Sequence, residues 1–323
     1  MTDFDIATVL ECASLAPSVH NTQPWSFVAT DAGLDVFAEP ERRLDYLDPT
    51  ARQLHISCGA AVEFASIGTR AAGKSCEVHL LPDPGQPDLL AQLEFGADQP
   101  ASPLEAELAA AIPRRYTDRG PYSDRAVPPA LLVDVQTRCA ALGVWVRIVD
   151  DHADRAVVAT ILADAEAQEA ADPEYAKELS QWTSARPEDQ GLPLEAVPSW
   201  PADVVSDVPL RDFTGHAEHR RAGGEEEPPR VERDTLLLLG TPLDDRSAWL
   251  ASGRALGWLL LRATVDGASA QPLGPAIDLP GARERLRREL GLVGHPQFLL
   301  RIGFGSGEPR TLRKSAQTQQ PLA

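Results

Sequence analysis

The sequence has few cysteines, no long apolar run and no signal-like N-terminal segment, and each of these features excludes some classes of function. Four of the 323 residues are cysteine, widely separated and without a C-x-x-C pair, which argues against a zinc site and a redox dithiol. No apolar run approaches the roughly 20 residues that span a bilayer. Residues 1–6 lack the basic and apolar regions of a secretory signal. We therefore expect a cytoplasmic protein without a membrane partner.

Positive charge is also scarce. The chain has 30 lysine and arginine residues against 48 aspartate and glutamate residues, a formal net charge of −18. Such a charge repels phosphate backbones and anionic headgroups, so no nucleic acid is expected as a partner. An acidic protein that binds a phosphorylated ligand must gather its basic residues locally, which makes any arginine cluster informative.

Two common cofactor signatures are absent as well. The seven histidines form no H-E-x-x-H, and His216 and His219 lie in a polar stretch, which favours surface histidines over a metal site. No G-x-G-x-x-G follows a predicted strand, so a dinucleotide-binding Rossmann site is not indicated. No metal is expected.

The overall composition, with 43% hydrophobic and 24% charged residues, is typical of a globular protein. The length suits two domains or one doubled domain, which we predict as residues 1–103 and 104–323. The patterning predicts a first helix that is capped by Thr2 or Asp3 and ended by Pro17. It predicts further helices at 51–72, 104–112, 128–142, 247–265 and 280–290, and strands at 25–29, 34–38, 76–81, 144–149, 234–240 and 298–303. Helix, turn, helix and strand follow one another twice, which suggests two related units.

Residues 172–233 interrupt this order with many Pro, Asp, Glu and Gly residues. A loop of this length inside a compact chain is usually disordered or a functional lid. Four aromatic residues, Tyr175, Trp182, Trp200 and Phe213, are too many for a solvated linker. We therefore favour an ordered lid with a flexible part near Gly223.

The most informative segment is residues 16–25, Ala-Pro-Ser-Val-His-Asn-Thr-Gln-Pro-Trp. Two prolines restrict the backbone, while Ser18, Asn21 and Gln23 offer donors and acceptors at a helix end. This layout suits hydrogen bonding to a polar ring edge. A well-capped turn before a strand explains the same residues.

This segment resembles the S-x-x-N-x-Q-P-W signature of the nitroreductase family of FMN enzymes. In classical members, two identical subunits share each flavin, one supplying this signature and the other a basic R-x-S-x-R/K segment. Arg115, Thr117 and Arg119 resemble that basic segment, with Thr in place of Ser. In this chain the basic segment follows the signature by about a hundred residues, whereas in the classical chain the basic segment comes before the signature. The resemblance therefore implies two fused halves, an intramolecular pseudo-dimer with one complete site, for which a monomer is sufficient.

Physical chemistry is consistent with that role for the basic segment. Alternate residues of an extended segment point the same way, so the three side chains can converge on one anion. Guanidinium groups match phosphate oxygens, and a hydroxyl can fill a further position. A solvated basic run is the alternative.

Two later segments resemble the same family. Residues 272–274, Pro-Leu-Gly, resemble the turn whose backbone N–H reaches the flavin N5 region, and Arg313, within 309–314, resembles the C-terminal basic element at the FMN phosphate. Gly274 stands where the family often has an acidic residue, and Val19 replaces a second Ser of some signatures. The chain as a whole resembles the Acg-type branch of actinobacterial FMN-binding proteins.

The resemblance implies an α+β, nitroreductase-like fold and FMN as cofactor. The implied cofactor-binding residues are Pro17, Ser18, Asn21, Arg115, Thr117, Arg119, Pro272, Leu273, Gly274 and Arg313. No side chain is predicted as catalytic, because the flavin N5 carries the chemistry. The implied activity is two-electron hydride transfer from NAD(P)H to a nitroaromatic or quinone-like acceptor. An FMN-sequestering or storage protein with a lid over the flavin stays open as the alternative, as does a flavin-free scaffold.

Overall fold

The chain folds into two four-stranded antiparallel sheets flanked by helices. A computed structural model describes residues 5–183, 189–193, 204–206, 208, 230–231, 233–305 and 311–315. The helices are α1 (Ile6–Ser14), α2 (Arg52–Ala71), α3 (Pro103–Ala111), α4 (Pro129–Ala141), α5 (His152–Ala170), α6 (Pro173–Thr183), α7 (Arg246–Val265), α8 (Pro275–Asp278) and α9 (Pro280–Glu289). The strands are β1 (Trp25–Ala29), β2 (Gly33–Ala38), β3 (Lys74–Leu80), β4 (Leu89–Asp98), β5 (Trp145–Val149), β6 (Val204–Val205), β7 (Arg230–Val231), β8 (Thr235–Thr241), β9 (Ser269–Pro272) and β10 (His295–Gly303).

The two large sheets have the same topology. Their strand orders are β1-β2-β4-β3 and β5-β8-β10-β9, with every neighbouring pair antiparallel. In each sheet a 20-residue helix, α2 or α7, connects the second strand in chain order to the third. The predicted α+β fold with two related halves is confirmed, while the boundary at residues 103 and 104 stays a prediction.

The halves meet where α2 crosses α7. A Cβ added to Gly59 would lie 2.2 Å from the carbonyl oxygen of Leu250, and one added to Gly253 would lie 2.0 Å from that of Ile56. Ile56 lies three residues before Gly59, and Leu250 lies three residues before Gly253. Each glycine therefore meets the residue three positions before the other glycine, a reciprocal contact like that of a twofold-symmetric dimer interface. Only glycine permits this backbone approach.

Several elements were not predicted from the sequence. Strand β4 lies between β2 and β3, yet its Ala, Gln and Glu residues have weak strand propensity, and pairing on both sides stabilises it instead. Helix α5 is rich in alanine and acidic residues, so its large apolar residues do not form a clear helical repeat in the sequence. The turn expected at residues 272–274 also begins one residue later, because Pro272 still belongs to β9.

Part of the 172–233 insert packs on the first half. Tyr175 and Trp182 of α6 are buried as expected, in a cluster with Leu44 and Leu47. Trp200, Phe213 and the stretch near Gly223 lie outside the described residues, so the lid stays a prediction. Within the described ranges, no helix combines the length and apolar character needed to cross a membrane.

Candidate functional site

One pocket draws its walls from both halves of the chain. Its empty volume is about 1040 Å³ including its opening to solvent, which is ample for a cofactor-sized ligand. The first half contributes Pro17, Ser18, Val19, His20, Gln53, Ile56 and Ser57. The remainder of the chain contributes Thr117, Arg119, Glu166, Leu192, Leu256, Leu260, Ala270, Gln271, Pro272, Leu273, Gly274, Pro275, Asp278, Phe298 and Leu300.

Apolar side chains from regular elements form much of the lining. Ile56 comes from α2, while Leu256 and Leu260 lie one turn apart on α7. Phe298 and Leu300 alternate along β10 and so share one face of the sheet. Helices and strands hold these side chains in place, and such a lining suits a planar, largely apolar ligand.

The segment at residues 16–25 is a strained turn at one side of the pocket. His20, Asn21 and Gln23 have φ values of 43°, 55° and 50°, a left-handed conformation that non-glycine residues rarely adopt. The Oγ of Ser18 accepts a hydrogen bond from the backbone N–H of Gln23 at 2.9 Å. Strain of this kind persists where the surroundings over-determine the backbone and is frequent at functional sites.

The amides of Asn21 and Gln23 connect this turn to two distant segments. Both side chains are buried, and each bonds to residues 189–193 of the insert and to the C-terminal residues 311–315. The bonds run from Asn21 Nδ2 to the carbonyl oxygens of Gly191 and Leu312, both at 3.0 Å, from Gln23 Nε2 to that of Asp189 at 2.7 Å, and from the Lys314 N–H to Gln23 Oε1 at 2.9 Å. The turn therefore positions both segments beside the pocket.

The basic segment runs along the edge strand of the second sheet. Thr117 forms an isolated parallel bridge with Ala270 of β9, and the backbone N–H of Asp118 donates to the Ala270 carbonyl at 3.2 Å. Thr117 and Arg119 both line the pocket. Backbone pairing thus carries the predicted segment to the site.

Three arginines come together at this side of the pocket. Burial and the positive charges of Arg115 and Arg119 lower the pKa of Arg313 to about 9. Arg313 donates hydrogen bonds to the carbonyl oxygen of Ala16 at 3.2 Å and to that of Thr311 at 2.9 Å. Guanidinium groups held close together favour the binding of an anion among them, so the cluster is a candidate anion site.

The turn at residues 272–274 faces the same pocket but offers limited hydrogen bonding. Proline has no backbone N–H, and the N–H of Leu273 donates to the Leu299 carbonyl at 2.9 Å. Of the three residues, Gly274 is therefore the one whose N–H can serve a ligand. The predicted contact of this turn with the flavin therefore depends on the N–H of Gly274 alone.

A fixed carboxylate also borders the pocket. Asp278 Oδ1 accepts hydrogen bonds from Arg52 Nη2 at 3.0 Å and from Gln53 Nε2 at 2.6 Å. Asp48 caps α2 by accepting hydrogen bonds from two backbone N–H groups of its first turn, and burial raises the pKa of Asp48 to about 6. Neither aspartate was predicted as a site residue.

The structure brings seven of the ten predicted residues into the pocket lining: Pro17, Ser18, Thr117, Arg119, Pro272, Leu273 and Gly274. Arg115 and Arg313 lie in the adjoining arginine cluster, and Asn21 reaches this region through its bond to Leu312. The role of each as a cofactor ligand stays a prediction. Sequence reasoning missed His20, Gln53, Ser57, Glu166, Leu192 and Asp278. The polar pair Gln53 and Ser57, one turn apart in a helix of small residues, was the available signal.

Solved structures with partial similarity include two FMN-dependent nitroreductases. One, from a Sphingopyxis strain and described as FMN- and NADPH-dependent, is 16% identical with a TM-score of 0.40 and is matched over 65% of this chain and 96% of its own. The other, from Mycobacterium smegmatis in complex with NADPH, is 16% identical with a TM-score of 0.39 over 67% and 99%. Similarities at this level do not bear on function.

Relatives among curated proteins cover almost the whole chain, although no protein-family model matches it. Rv3131 of Mycobacterium tuberculosis, whose assigned name is that of an NAD(P)H nitroreductase, is 35% identical over 306 residues, 93% of this chain and 85% of the relative. Acg of the same organism, with the same assigned activity, is 30% identical over 305 residues, 93% and 88%. These matches confirm the resemblance seen in the motifs, and the chain belongs to the nitroreductase family, in the group that contains Rv3131 and Acg.

Proposed function

We propose that this protein binds FMN in the pocket and is an oxidoreductase that moves a hydride equivalent from NAD(P)H to a nitroaromatic or quinone-like acceptor. The observation that carries the proposal is the cluster of Arg115, Arg119 and Arg313 beside a largely apolar pocket. An anionic group attached to a planar ring system satisfies both features. The assigned names of the relatives agree with this activity.

The residues present fit FMN. The three arginines, with the hydroxyl of Thr117, would hold the phosphate through charge-assisted hydrogen bonds. The apolar side chains of α2, α7 and β10 would enclose the ring, and the N–H of Gly274 would donate to its edge. Bound FMN supplies the two-electron chemistry, which protein side chains cannot perform.

The buried amide of Asn21 offers a further contact. Its Oδ1 has no hydrogen-bond partner among the described residues, and a buried acceptor without a donor is unfavourable. A polar group of the cofactor would satisfy it. The strained turn around Asn21 would thus be ordered before the ligand arrives, which reduces the entropy lost on binding.

One chain is sufficient for this site. The pocket lining comes from both halves, and the reciprocal contact of Gly59 and Gly253 matches an internal pseudo-dimer. The FMN-loaded protein should therefore have the mass of one chain, 34.8 kDa, and bind one flavin per chain. A dimer with one flavin per two chains would contradict an internal site.

A second candidate function is FMN sequestration, and the insert favours it. Leu192 lines the pocket, and the amides of Asn21 and Gln23 hold the backbone around it. A segment fixed at this place would restrict the access of a nicotinamide or an acceptor to the ring. The protein would then retain FMN with little turnover.

The first test is the visible spectrum of the purified protein, recorded without oxygen as NADH and then NADPH are added. We expect a yellow FMN band that bleaches with pyridine nucleotide. A band that persists would favour sequestration, and deletion of residues 187–209 would then restore bleaching if the insert blocks access. A colourless protein that cannot be reconstituted with FMN would refute both functions.

A further inference from the structure

A carboxylate that the FMN proposal does not use lines the pocket. Asp278 ends α8 and lines the pocket. Its Oδ1 is held by Arg52 and Gln53 at 3.0 and 2.6 Å. Arg52 forms an ion pair with the carboxylate, and the two hydrogen bonds fix the orientation of this oxygen.

Arg52 is buried and does not itself line the pocket. It is 5% exposed and also donates to the carbonyl oxygens of Gln297 at 2.6 Å and Ile277 at 3.1 Å. The second carboxylate oxygen of Asp278 lies 2.6 Å from the position of a Cβ on Gly274. Negative charge is therefore presented beside the turn whose N–H is proposed to meet the ring.

Arg313 and Arg52 have different charged neighbours. The charges that act on Arg313 are those of Arg115 and Arg119. Those that act on Arg52 come from a different group: Asp278, Arg283, Asp48 and Asp244. Glu166 adds a second carboxylate to the pocket lining from α5, a helix that packs on α8.

We propose that Asp278, supported by Glu166, determines which electron acceptors this protein uses: neutral or cationic acceptors are admitted beside these two carboxylates, and anionic acceptors are disfavoured. The inference rests on the proposed FMN site and specifies its substrate class. Fixed charges in a partly enclosed site act on a ligand more strongly than in water. Repulsion of the wrong ligand is an established means of specificity.

The test uses the re-oxidation of bound FMN, so that it does not depend on NAD(P)H. The protein is loaded with FMN, photoreduced without oxygen and mixed with 1,4-naphthoquinone or with its 2-sulfonate, and the return of the flavin absorbance is followed by stopped flow. The measured quantity is the rate ratio of the anionic to the neutral quinone. Because the same ratio is compared between variants, the difference in reduction potential between the two quinones cancels.

The informative variants are Asp278→Asn, which keeps an acceptor for Arg52 and Gln53, and Glu166→Gln, which leaves the Arg52 pair intact. Asp164→Asn is the matched control, because Asp164 lies on α5 but pairs with Arg285 and does not line the pocket. We expect Asp278→Asn to raise the ratio about tenfold, the effect of one charge at roughly 6 Å with an effective dielectric constant of about 40. Glu166→Gln should raise it at least about threefold, and both effects should shrink with added salt.

An unchanged ratio in both pocket variants would overturn the inference while the FMN site stands, since flavin binding and photoreduction are observed in the same experiment. If Asp278→Asn does not fold, Glu166→Gln decides by the same ratio. An equal rise in Asp164→Asn would attribute the effect to net charge and would also overturn the role of Asp278. Absence of bound flavin in the wild-type protein would overturn the proposed function itself.

Discussion

Replacing Arg119 by glutamine separates a phosphate site from a merely structural arginine cluster. Arg119 lines the pocket and is one of two positive charges that lower the pKa of Arg313. Its removal should weaken FMN binding, because a charge-assisted contact to the phosphate is lost. It should also relieve the repulsion on Arg313, whose pKa then rises towards its ordinary value.

The two effects have different expected sizes. A hydrogen bond to a charged group contributes about 1.5–3 kcal/mol, which corresponds to an FMN affinity lower by about 10- to 150-fold. Without FMN, the free energy of unfolding should change far less, because one of three mutually repelling charges has been removed. A structural arginine would show the opposite pattern, a large loss of stability with little specific loss of affinity.

Titration with FMN and with riboflavin, followed by flavin fluorescence, measures the phosphate contribution directly. The variant should lose affinity for FMN but stay within about twofold for riboflavin, which lacks the phosphate. Arg114→Gln is the matched control, since Arg114 lies in the same segment, is exposed and donates to the Ala110 carbonyl. Equal losses for FMN and riboflavin, or an equal loss in Arg114→Gln, would refute the assignment.

Three further predictions concern stability. Gly253→Ala should lower the free energy of unfolding by about 2–3 kcal/mol, because the new Cβ would lie 2.0 Å from the Ile56 carbonyl oxygen and force α2 and α7 apart; Gly281→Ala, with open space at its Cβ position, is the control for urea denaturation. Glu63→Gln should cost about 3 kcal/mol by breaking its buried pairs with Arg138 and Arg254 at 2.6 and 2.9 Å, whereas Glu284→Gln, in an exposed pair with Arg287, should change little. The pKa of Asp48 is raised from 3.8 to about 6 by burial, so the folded chain binds more protons than the unfolded chain in that interval, and stability should fall as pH rises from about 4 to about 6. Asp48→Asn should reduce that fall, as measured by thermal melting across the pH range.

Each of these expectations has a contrary outcome. Equal destabilisation by Gly281→Ala would show that the effect at Gly253 is not specific to the crossing of α2 and α7, because helix propensity alone favours alanine over glycine. A Glu63 variant as stable as the wild type would show that the buried charges gain nothing over a neutral amide. An unchanged pH profile in Asp48→Asn would assign the slope to other carboxylates.

Local patterning predicted much of the fold and of the site. The long helices α2 and α7 follow from helical patterning and their small residues, and their observed bounds differ from the predicted ones by one residue. The motif at residues 16–25 and the segment with Arg115, Thr117 and Arg119 were recognisable because their roles depend on short-range spacing. These features are encoded within one element or one turn.

Other parts of the site are not local in this sense. Asp278 and Glu166 are ordinary surface-type residues in the sequence, and only the packing of α8 on α5 brings both to one pocket. Strand β4 has a weak pattern of its own and exists because β2 and β3 pair with its two edges. Leu192 enters the lining because amides about 170 residues away bond to the backbone beside it.

The sequence by itself therefore determined the element types, the family and the two motifs, because propensity, periodicity and short spacings act over a few residues. Only the tertiary structure decided that Arg115, Arg119 and Arg313 lie close together beside a pocket. It also decided that the N–H of Gly274 and not of Leu273 is available there, and that Asp278 lines the same pocket. Those outcomes depend on close packing at Gly59 and Gly253 and on hydrogen bonds between distant segments, and neither can be read from any single stretch of the chain.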